Sequence, residues 1–127
     1  MSFLSLLAVG GGAAVGAWMR WWLGIVLNPV FPTLPFGTLA ANLVGGYLMG
    51  LAMGVLSHFE ALPAEMRLFI TTGFLGGLTT FSTFSAEAAT LLGRDQAGWA
   101  AVHVAVHVVG SILLTFAGIA TMRLILR

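Results

Sequence analysis

The positions of its few charged residues limit what this chain can become more than any other feature of the sequence. Only 7% of the 127 residues are charged, and they leave four long uncharged stretches. These are Met1–Met19, Trp21–Phe59, Leu68–Ala86 and Gln96–Met122. A soluble domain is about 25% charged and needs polar groups over the surface that it exposes. The sequence therefore predicts an integral membrane protein and excludes a soluble enzyme, a nucleic-acid binder and a disordered tail.

Proline and loop residues divide the uncharged stretches into four predicted membrane spans. A spanning helix needs about 20 apolar residues, so the second stretch is too long for one helix. Its proline-rich segment 28–35 separates two helices. We predict an all-α protein of one domain, residues 1–127, with four transmembrane helices and short loops. The expected helices cover about 3–26, 37–57, 64–92 and 98–126.

Counting arginines gives almost no preferred orientation in the membrane. Four spans would place three arginines on one side and two on the other. The three are Arg67, Arg123 and Arg127, and the two are Arg20 and Arg94. Orientation is normally set by a clear Lys and Arg excess in cytoplasmic loops. We therefore expect insertion in both orientations, with opposite copies paired about a two-fold axis in the membrane plane; one fixed orientation with a weak bias is the alternative.

The third predicted span combines glycines, hydroxyl residues and phenylalanines. Adjacent Gly76 and Gly77, followed by Thr79 and Thr80, continue a helix poorly. We predict that this helix breaks near residues 73–80, in the middle of the membrane. Irregular backbone at this depth survives only where it is buried in protein or lines a cavity, and its freed carbonyls suit a small cation. A continuous helix with small packing residues is the alternative.

After the break, aromatic and hydroxyl side chains form neighbouring stripes on one helix. Phe81 and Phe84 are three residues apart, and Ser82 and Ser85 repeat that spacing. The edge of a phenyl ring is positive, so ring edges with hydroxyl and amide donors can hold a small anion without a full positive charge. Such weak binding suits conduction. Core packing is the structural alternative for both rings.

Polar side chains on the other spans are further candidates, because an amide or ionisable group inside a membrane is costly. Asn42 lies midway along the second span, one turn after Thr38, and its amide can both donate and accept hydrogen bonds. A polar stripe recurs every fourth residue on the fourth span. It consists of His103, His107, Ser111 and Thr115. The stripe predicts either a ladder of donors along an ion path or a polar seam between helices.

Two other features concern metal ions and charge. Histidines four residues apart can ligate a metal, but no acidic residue is near His103 and His107 in sequence and the HExxH pattern is absent. We therefore do not expect metal ligation by this pair. Arg20 toward the end of the first span and Glu87 toward the end of the third are expected in a vestibule or paired with each other. Arg20 at an aqueous mouth would concentrate anions; snorkelling to the interface is the alternative.

Three motifs of this chain are distinctive, namely Gly16–Trp21, Gly37–Gly45 and Gly73–Glu87. They resemble those of the Fluc (CrcB) type of fluoride channel, and the similarity extends over essentially the whole chain. The resemblance implies a bacterial inner-membrane channel that exports toxic fluoride passively and is not an enzyme. It also implies an antiparallel, dual-topology homodimer with two pores.

The resemblance assigns roles to individual residues as well. It implies that Phe81 and Phe84 are ring-edge fluoride ligands and that Asn42 is the pore amide. A structural sodium ion at the dimer centre would be bound by the backbone carbonyls of Gly76 and Thr79 from both subunits. The remaining implied positions are a polar track of His107, Ser111 and Thr115, and pore or vestibule residues Thr38, Glu87 and Arg20.

Two other functions remain open at this point. A small dual-topology, proton-coupled antiporter of the multidrug type needs a carboxylate inside the membrane, and Glu87 is the candidate. A non-transporting assembly subunit predicts no ion flux from purified protein in liposomes.

Overall fold

The computed structural model describes residues 1–127 and contains helices joined by short turns. The helices are α1 (Phe3–Leu27), α2 (Phe36–His58), α3 (Ala64–Leu68), α4 (Gly76–Leu78), α5 (Phe81–Gly93) and α6 (Ala97–Ile125). A π-helical segment, Phe69–Leu75, joins α3 to α4. Three helices are long and apolar enough to cross a membrane, namely α1 with its following turn, α2 and α6. The expected class, an all-helical membrane protein, is confirmed at this level.

Side-chain caps define the first helix boundaries. The hydroxyl of Ser2 accepts a hydrogen bond from the backbone nitrogen of Ser5 at 3.0 Å, so it caps the start of α1. Asn28 lies just beyond α1, and its Oδ1 accepts from the backbone nitrogens of Gly37 at 2.8 Å and Thr38 at 3.2 Å. These nitrogens belong to the first turn of α2, where no helical acceptor exists. One side chain thus fixes the turn between α1 and α2.

Glycines allow the helices to approach closely. A Cβ atom on Gly16 of α1 would clash with the backbone of Phe74 and Leu78, and one on Gly118 of α6 would clash with the backbone of α2 at Tyr47. Helix α1 therefore packs on residues 69–78, and α2 packs on α6, with backbone against backbone.

The third helical region is interrupted at two threonines. Thr79 (φ −86°, ψ 156°) and Thr80 (φ −147°, ψ 114°) are extended. The α5 helix then begins at Phe81, where the hydroxyl of Thr80 accepts from the backbone nitrogen of Thr83 at 3.1 Å. The interruption lies within the range 73–80 in which the sequence predicts a break.

Apolar side chains cover the outside of the molecule, whereas several polar ones are buried. Large hydrophobic residues are exposed along α1 and α6, among them Trp18, Trp21 and Phe116. The buried polar residues are Thr38, Thr80, His103 and His107. This distribution of polar and apolar side chains is the reverse of that in a soluble domain. The polar groups lie in the interior, between α2, α5 and α6.

Candidate functional site

Asn42 of α2 connects the interruption to α6. Its Oδ1 accepts from the backbone nitrogen of Thr80 at 2.7 Å, and its Nδ2 donates to the Thr80 carbonyl at 3.1 Å. Because these two bonds fix which end of the amide is which, Nδ2 also acts as donor to Nδ1 of His107, 3.1 Å away. The Asn42 amide therefore replaces helical hydrogen bonds that the extended Thr80 backbone does not make.

The interruption removes the usual helical donors of several backbone carbonyls, including those of Gly76 and Thr79. In a continuous helix, the Thr80 nitrogen would bond the Gly76 carbonyl and the Thr83 nitrogen would bond the Thr79 carbonyl. Here the first nitrogen donates to Asn42 and the second to the Thr80 hydroxyl. The carbonyls of Gly76 and Thr79 are thus free to accept another partner. They are the carbonyls expected to face a cation.

The two phenylalanines of α5 lie in contrasting environments. The Phe81 ring is 78% exposed, whereas the Phe84 ring is 8% exposed. The ring centroids are 5.5 Å apart. Phe84 also packs on His103 and His107, with ring centroids 5.0 Å and 4.8 Å away. Phe84 is therefore enclosed by its neighbours, whereas the exposed ring of Phe81 is free to contact another molecule.

An open cavity of about 470 Å³ brings most of the predicted site residues together. Asn42, Phe81, Phe84, His107, Ser111 and Thr115 line it, as do the carbonyl-bearing residues Gly76 and Thr79. No Asp, Glu, Lys or Arg is among its lining residues. The cavity is thus lined by neutral dipoles, aromatic rings and apolar side chains.

The hydroxyls of the polar stripe on α6 are bonded to helix backbone. Thr115 donates to the carbonyls of Gly46 and Ser111, each at 2.9 Å. Ser111 donates to the carbonyl of His107. The stripe is therefore both a seam between α6 and α2 and part of the cavity wall, and a hydroxyl must turn away from its carbonyl before it can donate to an ion.

The hydroxyl stripe on α5 does not enter this cavity. Ser82 and Ser85 are exposed and are not among the lining residues. The Ser82 hydroxyl lies 3.5 Å from that of Thr80. The structure thus separates these serines from Asn42 and the α6 stripe.

Thr38 and Glu87 meet His103 in a second polar cluster, one helical turn away from Asn42. The Thr38 hydroxyl donates to Oε2 of Glu87 at 2.7 Å. The other carboxylate oxygen, Oε1, lies 3.6 Å from Nε2 of His103. That Nε2 is also 3.2 Å from the Phe84 carbonyl. Glu87 faces a separate cavity of about 270 Å³ that includes Arg94 and Gln96.

Arg20 does not pair with Glu87. It lies two turns before the end of α1, and its Nε donates to the carbonyl of Gly77 at 3.0 Å. The pair was one of two arrangements expected for these residues, and it does not form, because α1 contacts residues 69–78 while Glu87 faces α2 and α6. The guanidinium instead bonds a carbonyl beside the helix interruption.

Sequence reasoning misses the role of Thr80 and the acidic partner of the two histidines. The sequence marks Thr80 only as a poor helix former, yet it caps α5 and bonds Asn42. No acidic residue is near His103 and His107 in the sequence, yet Glu87 reaches them from another helix. The His103–His107 spacing is visible in the sequence, whereas the approach of Glu87 depends on the packing of α5 against α6.

Comparisons with known proteins show the family of this chain. Residues 7–119 match the model of the family described as "CrcB-like protein, Camphor Resistance (CrcB)". A "Fluoride-specific ion channel FluC" of Nitrosospira multiformis is 58% identical over 97% of this chain and 96% of its own. Proteins with that name from Aromatoleum aromaticum (58% identical, 91% of this chain, 88% of theirs) and Pseudomonas putida (56%, 92% and 92%) are also similar. By these matches the chain belongs to the CrcB-like family.

Proposed function

We propose that this chain is a fluoride-selective ion channel through which fluoride leaves a bacterial cell passively across the inner membrane. The observation that carries the proposal is the cavity that joins Asn42, two phenylalanine rings and the α6 polar stripe with no charged side chain in its lining. The family and the names of its members point the same way. No covalent bond is made or broken, so the activity is transport and not enzymatic catalysis.

Neutral donors suit fluoride because the ion must both enter and leave. Fluoride is small and strongly hydrated, so close donors have to replace its water. Ring edges of Phe81 and Phe84 and the amide of Asn42 would supply partial positive charge without the strong trap that a lysine would form. The larger chloride ion would not fit the same donor spacing. We assign the passage beyond them to His107, Ser111 and Thr115.

We also propose that residues 64–92 form a fourth, broken span. Residues 64–78 would extend about 22 Å and α5 about 20 Å at about 1.5 Å per residue. The hydrocarbon core is about 30 Å thick, so the two halves suffice to cross it. The extended Thr79–Thr80 segment would then lie at mid-membrane depth, where it is covered by protein.

The exposed ring of Phe81 supports an antiparallel homodimer with two pores. A 78% exposed phenylalanine beside an open polar cavity leaves that cavity without one wall. A second, inverted copy would supply the wall and would cover the ring. The near-equal numbers of arginines on the two sides make insertion in both orientations reasonable.

Sodium at the dimer centre fits the donors present. The carbonyls of Gly76 and Thr79 have lost their helical partners, and carbonyl oxygen is a ligand for hard cations. Two carbonyls from each copy would give four oxygens. The ion would supply positive charge and link the two subunits at the interruption.

The antiporter alternative is not favoured. Its required carboxylate, Glu87, is outside the main cavity and accepts a hydrogen bond from Thr38. The matched relatives carry the name of a channel. Ser82 and Ser85 are exposed in the single chain, and we propose that they adjoin the ion path once a second copy is in place.

Fluoride efflux from proteoliposomes tests the proposal. Vesicles loaded with potassium fluoride should release it when an ionophore lets potassium follow, and vesicles loaded with chloride should not. Replacing sodium on both sides with a large organic cation should remove the fluoride flux if the carbonyl site holds sodium. Equal chloride and fluoride flux, or none at all, would refute the proposed function.

A further inference from the structure

Three side chains that can ligate a metal, from helices α5 and α6, come together beside the main cavity. Glu87 of α5 and His103 and His107 of α6 each place one nitrogen or oxygen within 4.8 Å of the other two. Glu87 Oε1 and His103 Nε2 are already 3.6 Å apart. Ligands bound to a tetrahedral zinc-class ion at about 2.0–2.2 Å lie about 3.4 Å from each other. The Glu87–His103 pair thus has the required spacing. On binding a metal, His103 Nε2 would exchange its contact with the Phe84 carbonyl, 3.2 Å away, for the ion, and His107 would move a small distance.

Two atoms of this cluster have no hydrogen-bond partner. They are Oε1 of Glu87 and Nε2 of His107, both fully buried. The residues themselves are tightly enclosed, since His103 is 1% and His107 4% exposed. Buried polar atoms without partners are uncommon and cost stability. Both atoms belong to one cluster, and a metal ion bound there would give each of them a partner.

The outer contacts of the cluster resemble those that orient metal ligands. The Thr38 hydroxyl fixes the carboxylate through Oε2 and leaves Oε1 free. Such contacts to the far side of a ligand hold it in position. Two imidazoles and one carboxylate are donors for zinc, nickel, copper or cobalt, and poor donors for sodium or calcium.

We propose that Glu87, His103 and His107 form a binding site for one divalent transition-metal ion of the zinc class. The site differs from the carbonyl pair Gly76 and Thr79 in position and in ligand chemistry. It faces the 270 Å³ cavity through Glu87, and exposed residues Arg94 and Gln96 form part of that cavity. The cavity gives an ion a route from the end of the molecule.

Metal binding would act on Asn42 through His107. The amide nitrogen of Asn42 donates to His107 Nδ1, so in the metal-free protein the proton of this neutral ring is on Nε2. A metal ion at Nε2 moves that proton to Nδ1, where it faces the amide nitrogen. Loading the site therefore costs the Asn42–His107 hydrogen bond. We expect it to slow fluoride passage, and this clause rests on the proposed function.

Cobalt binding to the purified protein tests the site directly. Tetrahedral cobalt(II) absorbs visible light, and zinc displaces it, so titration of protein freed of its affinity tag gives stoichiometry and affinity. We expect one cobalt per chain. His103→Gln and Glu87→Gln should each weaken binding at least tenfold. His58→Gln is the matched control, because His58 is exposed at the end of α2 and outside the cluster.

Several results would overturn the proposal. They are no cobalt spectrum with wild-type protein, affinity unchanged by Glu87→Gln, or binding that depends on His58. If His103→Gln fails to fold, Glu87→Gln decides, since its amide keeps the shape of the side chain and can still accept from Thr38.

A flux measurement separates this proposal from the proposed function. Zinc should slow fluoride efflux severalfold in wild-type vesicles. The efflux of Glu87→Gln should be the same with zinc as without it. If wild-type vesicles release no fluoride, the channel function fails while the cobalt titration still decides the metal site. If zinc binds and the flux stays the same, the coupling through Asn42 is refuted.

Discussion

The polar and aromatic residues of the main cavity offer partial charges that are held in place by packing. Phe84 is enclosed by two imidazole rings, and Asn42 is fixed by the backbone of Thr80. Because neutral donors of this kind are already in position, binding an ion requires little rearrangement of the protein. Phe81 differs, since nothing in its own chain encloses it.

Substitution of the two rings should separate stability from transport. Phe81→Ile is expected to reduce fluoride efflux at least tenfold without lowering the thermal midpoint of the monomer fold, because the ring is 78% exposed. Phe84→Ala should slow efflux and also destabilise by about 3–5 kcal/mol. Efflux assays and thermal unfolding in detergent provide the two readouts. Wild-type efflux in Phe81→Ile would contradict its role as an ion ligand.

Removal of the Asn42 amide should affect the interruption and the ion path together. Asn42→Ala leaves the Thr80 backbone groups and His107 Nδ1 without their partners. A loss of about 2–3 kcal/mol in stability is expected, with fluoride efflux reduced at least tenfold. Met53→Ala, exposed on the same helix, should change neither. Unimpaired efflux in Asn42→Ala would remove this residue from the path.

At the level of helices, two close contacts set the positions of all site residues. Helix α1 is packed on residues 69–78, and α6 is packed on α2, through glycines in both cases. The second contact brings Ser111 and Thr115 against the backbone of α2. The interruption then turns α5 so that Phe84 and Glu87 reach α6.

A single methyl group should disturb the α2–α6 contact. Gly118→Ala places a Cβ against the backbone of Tyr47 and Leu51, so the helices must separate. We expect a loss of about 1–3 kcal/mol and slower fluoride efflux, because Ser111 and Thr115 move with α6. Gly10→Ala, with open space around its Cβ, is the control and should be neutral or slightly stabilising. Equal thermal midpoints of the two variants would show that the contact is unimportant.

For the whole molecule, the surface is apolar and the charge is low. Of the 127 residues, 19 are buried, so most large hydrophobic side chains are left for lipid or for a second copy. The chain carries five arginines and a formal net charge of +1. Both features fit a small subunit that completes its ion path by association.

Labelling of single cysteines should reveal two orientations in the membrane. The chain has no cysteine, so Ser2→Cys and Ala97→Cys each introduce one thiol without altering charge. With four spans the two positions lie on opposite sides. About half of each variant should react with an impermeant maleimide added outside intact cells. Full reaction of one variant and none of the other would establish one fixed orientation.

The sequence alone determined the class, the family and half of the 16 residues that line the main cavity. The length of an uncharged segment decides whether it inserts into lipid, because each residue contributes to the free energy of insertion independently of distant residues. Paired glycines before Thr79 and Thr80 likewise predict the interruption from local helix propensity. Phe81, Phe84 and Asn42 follow from motifs that are contiguous in the chain.

Only the tertiary structure decided which polar groups meet. It joined Asn42 to Thr80, directed Arg20 to the Gly77 carbonyl, and placed Glu87 beside His103. No pattern of neighbouring residues in the sequence predicts these contacts. Each contact depends on how far one helix is rotated about its axis and on how closely it crosses another helix. Glycine contacts between backbones and the turn of the chain at the interruption set those two quantities.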